Sequence, residues 1–122
     1  MLLVEDEPDL AHVMSEALLR AGHEVVVADT GARALATIRS RHVDVVVVDR
    51  GLPDGDGTAA VAQMRALGFT GAVLVTSGYV GPEHEAACRD AGADGVLSKP
   101  FRLAELVERV QELVDGQELV VA

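Results

Sequence analysis

Acidic side chains and one lysine stand where short apolar runs end. Glu5-Asp6 follow LLV at 2–4, Asp49 follows VVVV at 45–48, Thr76-Ser77 follow AVLV at 72–75, and Ser98-Lys99-Pro100 follow DGVL at 94–97. If the runs are strands of one parallel sheet, these residues all reach one edge of it, where ligands of open sheets bind. Carboxylates gathered there repel by about 4 kcal/mol per pair at 4 Å and an effective dielectric near 20. Either some stay protonated or a cation lies among them. Hard oxygen donors without His or Cys suit Mg²⁺, which keeps several waters and is open to a phosphate oxygen.

Asp49 closes an unbroken run of four valines, where an acid is otherwise costly. It is the carboxylate expected to act as nucleophile, attacking a phosphoryl group to form an acyl phosphate. Its other reading is an acidic cap on the following loop, which leaves Glu5, Asp6 and Lys99 at the same edge unexplained. Lys99 is the only lysine, against nine arginines. Taken singly it is a solvated strand-end lysine; facing the carboxylates it is a point charge for Asp49 or for a phosphoryl group carried there. Ser77 can donate its hydroxyl to the same phosphoryl oxygen, or cap the turn at 78–83. During in-line transfer Mg²⁺ and Lys99 would neutralise the equatorial oxygens.

The elements that must position these groups are legible as two alternating patterns. Valine and leucine runs predict strands over 2–4, 24–28, 44–48, 72–75 and 94–97. Helical spacing predicts helices over 9–21, 31–41, 58–67, 83–91 and 103–114. In the first helix Leu10, Val13, Met14, Ala17 and Leu18 form the apolar face; in the last, Leu103, Leu106, Val107, Val110 and Leu113 do. Gly22, Gly68, Gly92 and Gly116 stand where helix ends favour a left-handed cap. Five strand–helix alternations in 122 residues mean one α/β domain, a parallel sheet covered by helices on both faces. Residues 116–122 are left as a linker stub or C-terminal tail, and the apolar 119–122 end as a stub, a packing strand or a dimer contact. With 49% apolar residues, twenty valines and only 2% aromatics, the core is aliphatic.

A formal net charge of −10 disfavours nucleic acid and anionic lipid as direct partners. The single Cys88 excludes an internal disulfide and a cysteine-built metal site, and reads as a small core residue. The longest apolar run falls far short of the roughly 20 residues that a spanning helix needs. With acids from Glu5 onward and no leader pattern, the expected location is the cytoplasm.

The segments VEDEP at 4–8, VVVVDRGLPDGDG at 45–57, LVTSGY at 74–79 and AGADGVLSKPF at 91–101 resemble, in this order and spacing, the receiver domain of bacterial two-component response regulators. The resemblance covers nearly the whole chain. It implies a flavodoxin-like, doubly wound five-stranded sheet in the order 2-1-3-4-5. It implies phosphorylation of Asp49 by a phosphohistidine on a histidine kinase or phosphotransfer protein. Glu5 and Asp6 match the acidic pair that holds Mg²⁺ with Asp49, Gly51 the residue whose carbonyl completes the protein ligands, Ser77 the switch hydroxyl, and Lys99 the phosphoryl-contacting lysine. In such domains the phosphoryl group draws the hydroxyl inward, and the face around the fourth helix, fifth strand and fifth helix changes for an output domain or protein, or for a homodimer. Gly78 would leave room for that loop movement. The product is a conformational state, so the chain reads as a regulator rather than an enzyme. Glu5 stands where Asp is commoner. Val96 replaces a frequent aromatic, for which Tyr79 is a stand-in. Arg50 is either solvated or a gate on phosphoryl lifetime.

Two rivals compete. DGDGT at 54–58 resembles the nucleophile motif of haloacid-dehalogenase-type phosphatases, with Asp54 attacking and Asp56 as acid, but five residues separate it from the buried strand. It reads better as a turn into the third helix, with Asp56 at that helix's N-terminus. A receiver-like adaptor that never takes phosphate would lack one of Asp6, Asp49 and Lys99, and all are present. His12, His23, His42 and His84 have no ligand-like spacing and are assigned to surfaces or helix ends. Asp29-Thr30-Gly31 reads as a helix cap.

Overall fold

The structure, a computed structural model, describes residues 1–78 and 81–121. Its strands are β1 (Leu2–Val4), β2 (Val26–Ala28), β3 (Val45–Asp49), β4 (Gly51–Leu52), β5 (Gly55–Asp56), β6 (Ala72–Ser77) and β7 (Gly95–Ser98). Its helices are α1 (Pro8–Arg20), α2 (Gly31–Ser40), α3 (Gly57–Ala66), α4 (Pro82–Ala91) and α5 (Leu103–Val121). The main sheet is parallel with strand order β2-β1-β3-β6-β7; β4 and β5 form a separate antiparallel hairpin. With that hairpin set aside, the order is the expected 2-1-3-4-5.

Side chains that alternate along each strand build two cores. Leu2, Val4, Val46, Val48, Val73 and Val75 pack with Ala34, Ala60, Val61, Met64 and Cys88, and so face α2, α3 and α4. Leu3, Val45, Val47 and Leu74 pack with Met14, Leu18, Leu106 and Val110, and so face α1 and α5. This is the doubly wound arrangement, and Cys88 is a fully buried core residue. Thr30 caps α2, accepting from the Arg33 N–H at 3.1 Å. Gly22, Gly68 and Gly92 have φ of 97°, 94° and 116°, the left-handed conformation expected beyond helix ends.

Three details differ from the sequence reading. Val13 is 42% exposed, and Ala11 is buried in its place. At about 100° per residue, Ala11, Met14 and Leu18 fall within about 60° of one another, and Val13 lies about 100° outside Met14. Gly116 does not end the last helix, whose backbone continues to Val121. One helical glycine costs only about 1 kcal/mol relative to Ala, too little to break a helix anchored by Leu106 and Val110. The 54–57 segment is more than a turn, because Gly55–Asp56 pair with Gly51–Leu52. Tyr79, the side chains of the 119–122 tail and their packing lie outside the described residues. Among the described residues, no helix is long and apolar enough to cross a membrane.

Candidate functional site

Parallel pairing brings the expected residues to one end of the sheet because each lies at or within two residues of the carboxyl end of β1, β3, β6 or β7. Main-chain hydrogen bonds hold them there: Glu5 N–H donates to Ala28 O at 3.0 Å, Arg50 N–H to Thr76 O at 2.9 Å, and Lys99 N–H to Ser77 O at 2.7 Å. Gly57 makes room at the end of β3, since a Cβ on it would lie 2.2 Å from the Asp49 carbonyl oxygen.

One carboxylate oxygen from each of Glu5, Asp6 and Asp49 lies within 4.8 Å of the others. Glu5 is 2% exposed, Asp49 is buried and Asp6 is exposed. Lys99 Nζ reaches Asp49 Oδ1 at 3.2 Å and Glu5 Oε1 at 3.5 Å. Glu5 Oε2 accepts from the Glu7 N–H at 3.1 Å, and Asp49 Oδ1 accepts from the Gly51 N–H at 3.3 Å. Burial, and then the charge of Asp49, push the Glu5 carboxyl above the usual range despite the Glu7 N–H and Lys99. Burial works against the Lys99 ammonium, but its bond to Asp49 and the charges of Asp49 and Glu5 prevail and raise its pKa. The two shifts describe one anionic cup holding more negative charge than one ammonium balances.

Beside the cup lies a cleft of about 530 Å³ lined by Asp49, Gly51, Ser77, Lys99, Arg50 and His84 among others. Ser77, at the end of β6, is 1% exposed; at Gly78 nothing lies within 4 Å of where a Cβ would stand. Val96 packs half-buried against the core on the α4 side. The sequence-predicted residues Glu5, Asp6, Asp49, Gly51, Ser77 and Lys99 therefore meet at one end of the sheet.

The rival acids are engaged elsewhere. Asp54 Oδ1 and Oδ2 accept from the Gly31 and Ala32 N–H groups at 2.9 and 3.0 Å, capping α2, and these bonds hold its carboxyl below the usual range. Asp56 caps α3, its Oδ1 accepting from the Thr58 N–H and hydroxyl, each at 2.9 Å. Burial opposes the Asp56 charge, but these bonds and Arg50 leave its carboxyl below the usual range. His12 and His42 are exposed beside Glu16 and Asp44, and His23 is half-buried. His84 lies half-buried at a helix end, in the first turn of α4, where it meets the side chain of Arg50. Arg50 is not solvated, and no local signal connects it to a residue 34 positions away.

Residues 1–111 match the response regulator receiver domain. The transcriptional regulatory protein PrrA of Mycobacterium tuberculosis is 37% identical over 114 residues, 93% of this chain and 49% of PrrA. The KDP operon transcriptional regulatory protein KdpE of Escherichia coli is 37% identical over 111 residues, 91% of this chain and 49% of KdpE. The chain thus spans about half the length of these curated relatives. The Francisella response regulator 1452 receiver domain superposes with a TM-score of 0.90 at 28% identity, covering 95% of this chain and 96% of that one. The Vibrio cholerae chemotaxis protein CheY4 gives 0.87 at 29% identity, with 92% and 95% covered. With this sheet order, these strand ends and these relatives, the chain belongs to the response regulator receiver domains of two-component signalling.

Proposed function

We propose that Asp49 is the phosphoryl acceptor of this receiver domain. One Asp49 carboxylate oxygen attacks the phosphorus of a phosphohistidine on a histidine kinase or phosphotransfer protein. The P–N bond breaks, the imidazole takes up a proton, and an acyl phosphate remains on Asp49. Lys99 balances charge on the phosphoryl oxygens, and the Ser77 hydroxyl donates to one of them. Receiver domains generally bind Mg²⁺ at an acidic pocket, and Glu5, Asp6, Asp49 and the Gly51 carbonyl would hold it here. Oxygens about 2.1 Å from one Mg²⁺ stand at most about 4.2 Å apart, so a group within 4.8 Å needs only small shifts. The ion supplies charge neutralisation for an incoming phosphate oxygen.

The observation that supports this reading best is Asp49, buried at the end of β3, 3.2 Å from Lys99 and grouped with Glu5 and Asp6. Residues 1–122 act as one receiver domain with 116–122 as its tail, a cytoplasmic regulator rather than an enzyme. The face of α4, β7 and α5 switches for an output domain or protein, or for a second copy, and this domain does not itself bind nucleic acid or membrane. A small phosphodonor with Mg²⁺ adds one acid-stable, base-labile phosphoryl group by intact mass; Asp49→Asn takes none. Full labelling of Asp49→Asn would remove the assignment.

A further inference from the structure

Arg50 follows Asp49 directly, yet its side chain leaves the cup. It is 20% exposed, and its Nε donates to Asp56 Oδ2 at 3.3 Å while Nη1 meets His84 Nδ1. Its N–H donates to Thr76 O at 2.9 Å and its carbonyl accepts from the Gly57 N–H at 2.7 Å. One residue thus joins the end of β3 to β6, to the N-cap of α3 and to the first turn of α4.

A guanidinium only donates, so His84 Nδ1 is the acceptor in this contact. Asp56, the charged partner, is already shared with Thr58. Among the described residues lining the cleft, Arg50 and Lys99 supply its permanent cations. Lys99 is engaged with Asp49 and Glu5, while Arg50 is held by Asp56 and by the ring nitrogen of His84. A phosphoryl group carries about −1.5 to −2 charge at neutral pH, so a bond from the guanidinium to it adds the attraction of opposite charges to the hydrogen bond.

We propose that Arg50 is a positioning residue that latches the first turn of α4 to the end of β3, and that a phosphoryl group on Asp49 draws its guanidinium from His84 and frees α4. The inference rests on Asp49 as acceptor.

Hydrogen exchange at the Glu85, Ala86 and Ala87 amides tests it, in wild type, Arg50→Ala, Arg50→Lys and His84→Ala, each with and without beryllofluoride plus Mg²⁺. Intact mass after phosphodonor treatment is measured in parallel. In wild type, beryllofluoride raises exchange about tenfold, the scale of one lost charge-assisted bond. Arg50→Ala and His84→Ala show that rise unprompted, and beryllofluoride adds less than about twofold more. Arg50→Lys restores part of the protection. Loosened amides in the variants with an undiminished beryllofluoride response would mark Arg50 as merely structural and overturn the latch. So would labelled wild type whose amides do not respond, with the acceptor assignment left standing. Unlabelled wild type removes both.

Discussion

Replacing Glu5 by Gln keeps the shape of the cup and removes one charge from it. Glu5 lies within 4.8 Å of both other carboxylates and 3.5 Å from Lys99. At an effective dielectric near 20, repulsion from buried Asp49 is at least about 3.5 kcal/mol and attraction to Lys99 about 4.7 kcal/mol. Asp6 is exposed, and its repulsion is screened towards about 0.9 kcal/mol, the value in water. These contributions nearly cancel. What remains is the desolvation of a carboxylate that is 2% exposed, offset in part by the Glu7 N–H. Glu5→Gln therefore stabilises the metal-free protein by about 1–2 kcal/mol, or roughly 3–8 °C in Tm for a domain of this size. The assay is thermal unfolding at neutral pH in chelator and in Mg²⁺. Mg²⁺ at ten times its Kd adds about 1.4 kcal/mol to wild type and less than half of that to the variant. Because the folded Glu5 pKa is raised, its share of stability is complete below the ordinary carboxylate range and is lost as pH rises through the raised value. In chelator, wild type declines across that window and Glu5→Gln does not. A variant less stable than wild type in chelator, with an undiminished Mg²⁺ gain, would refute the reasoning.

Asp54→Ala uncaps α2 and lowers the urea midpoint, while Asp49 labelling persists by intact mass; loss of labelling would return Asp54 to the chemistry. The Asp54 pKa is lowered, so its stabilisation holds above the ordinary carboxylate range and fades as acid carries the pH below about 4; the variant lacks that acid-dependent loss. Gly57→Ala drives a Cβ into the Asp49 carbonyl and costs at least about 2 kcal/mol in urea unfolding, with slower labelling. Arg65 donates to Phe69, Gly71 and Gly92 carbonyls and to Asp94, at 2.7–3.1 Å, and lies over the Phe69 ring. Arg65→Ala costs about 2–4 kcal/mol in the same assay, and Arg65→Lys, lacking the fork, regains only part. Both leave labelling of Asp49 intact, because this network ties chain entering β6 and β7 at the opposite edge of the sheet.

By itself, the sequence determined what depends on neighbours along the chain. Continuous valine and leucine runs and 3.6-residue helical faces marked ten elements, and the ends of the runs identified which acids and which lysine share an edge. Thr30 as a cap and Cys88 as core were equally legible. Tertiary structure decided what depends on how separate elements sit together. All-valine runs carry no mark of which side meets α1 and α5; pairing order and crossover hand settled that, and with it the rotation of α1 that exposes Val13. Asp54 reaches a helix start 23 residues away, Arg50 meets His84 across 34, and Arg65 gathers carbonyls from two segments. Such bonds leave no periodic trace, because they form between side chains and backbone brought together only once the hydrophobic layers have stacked.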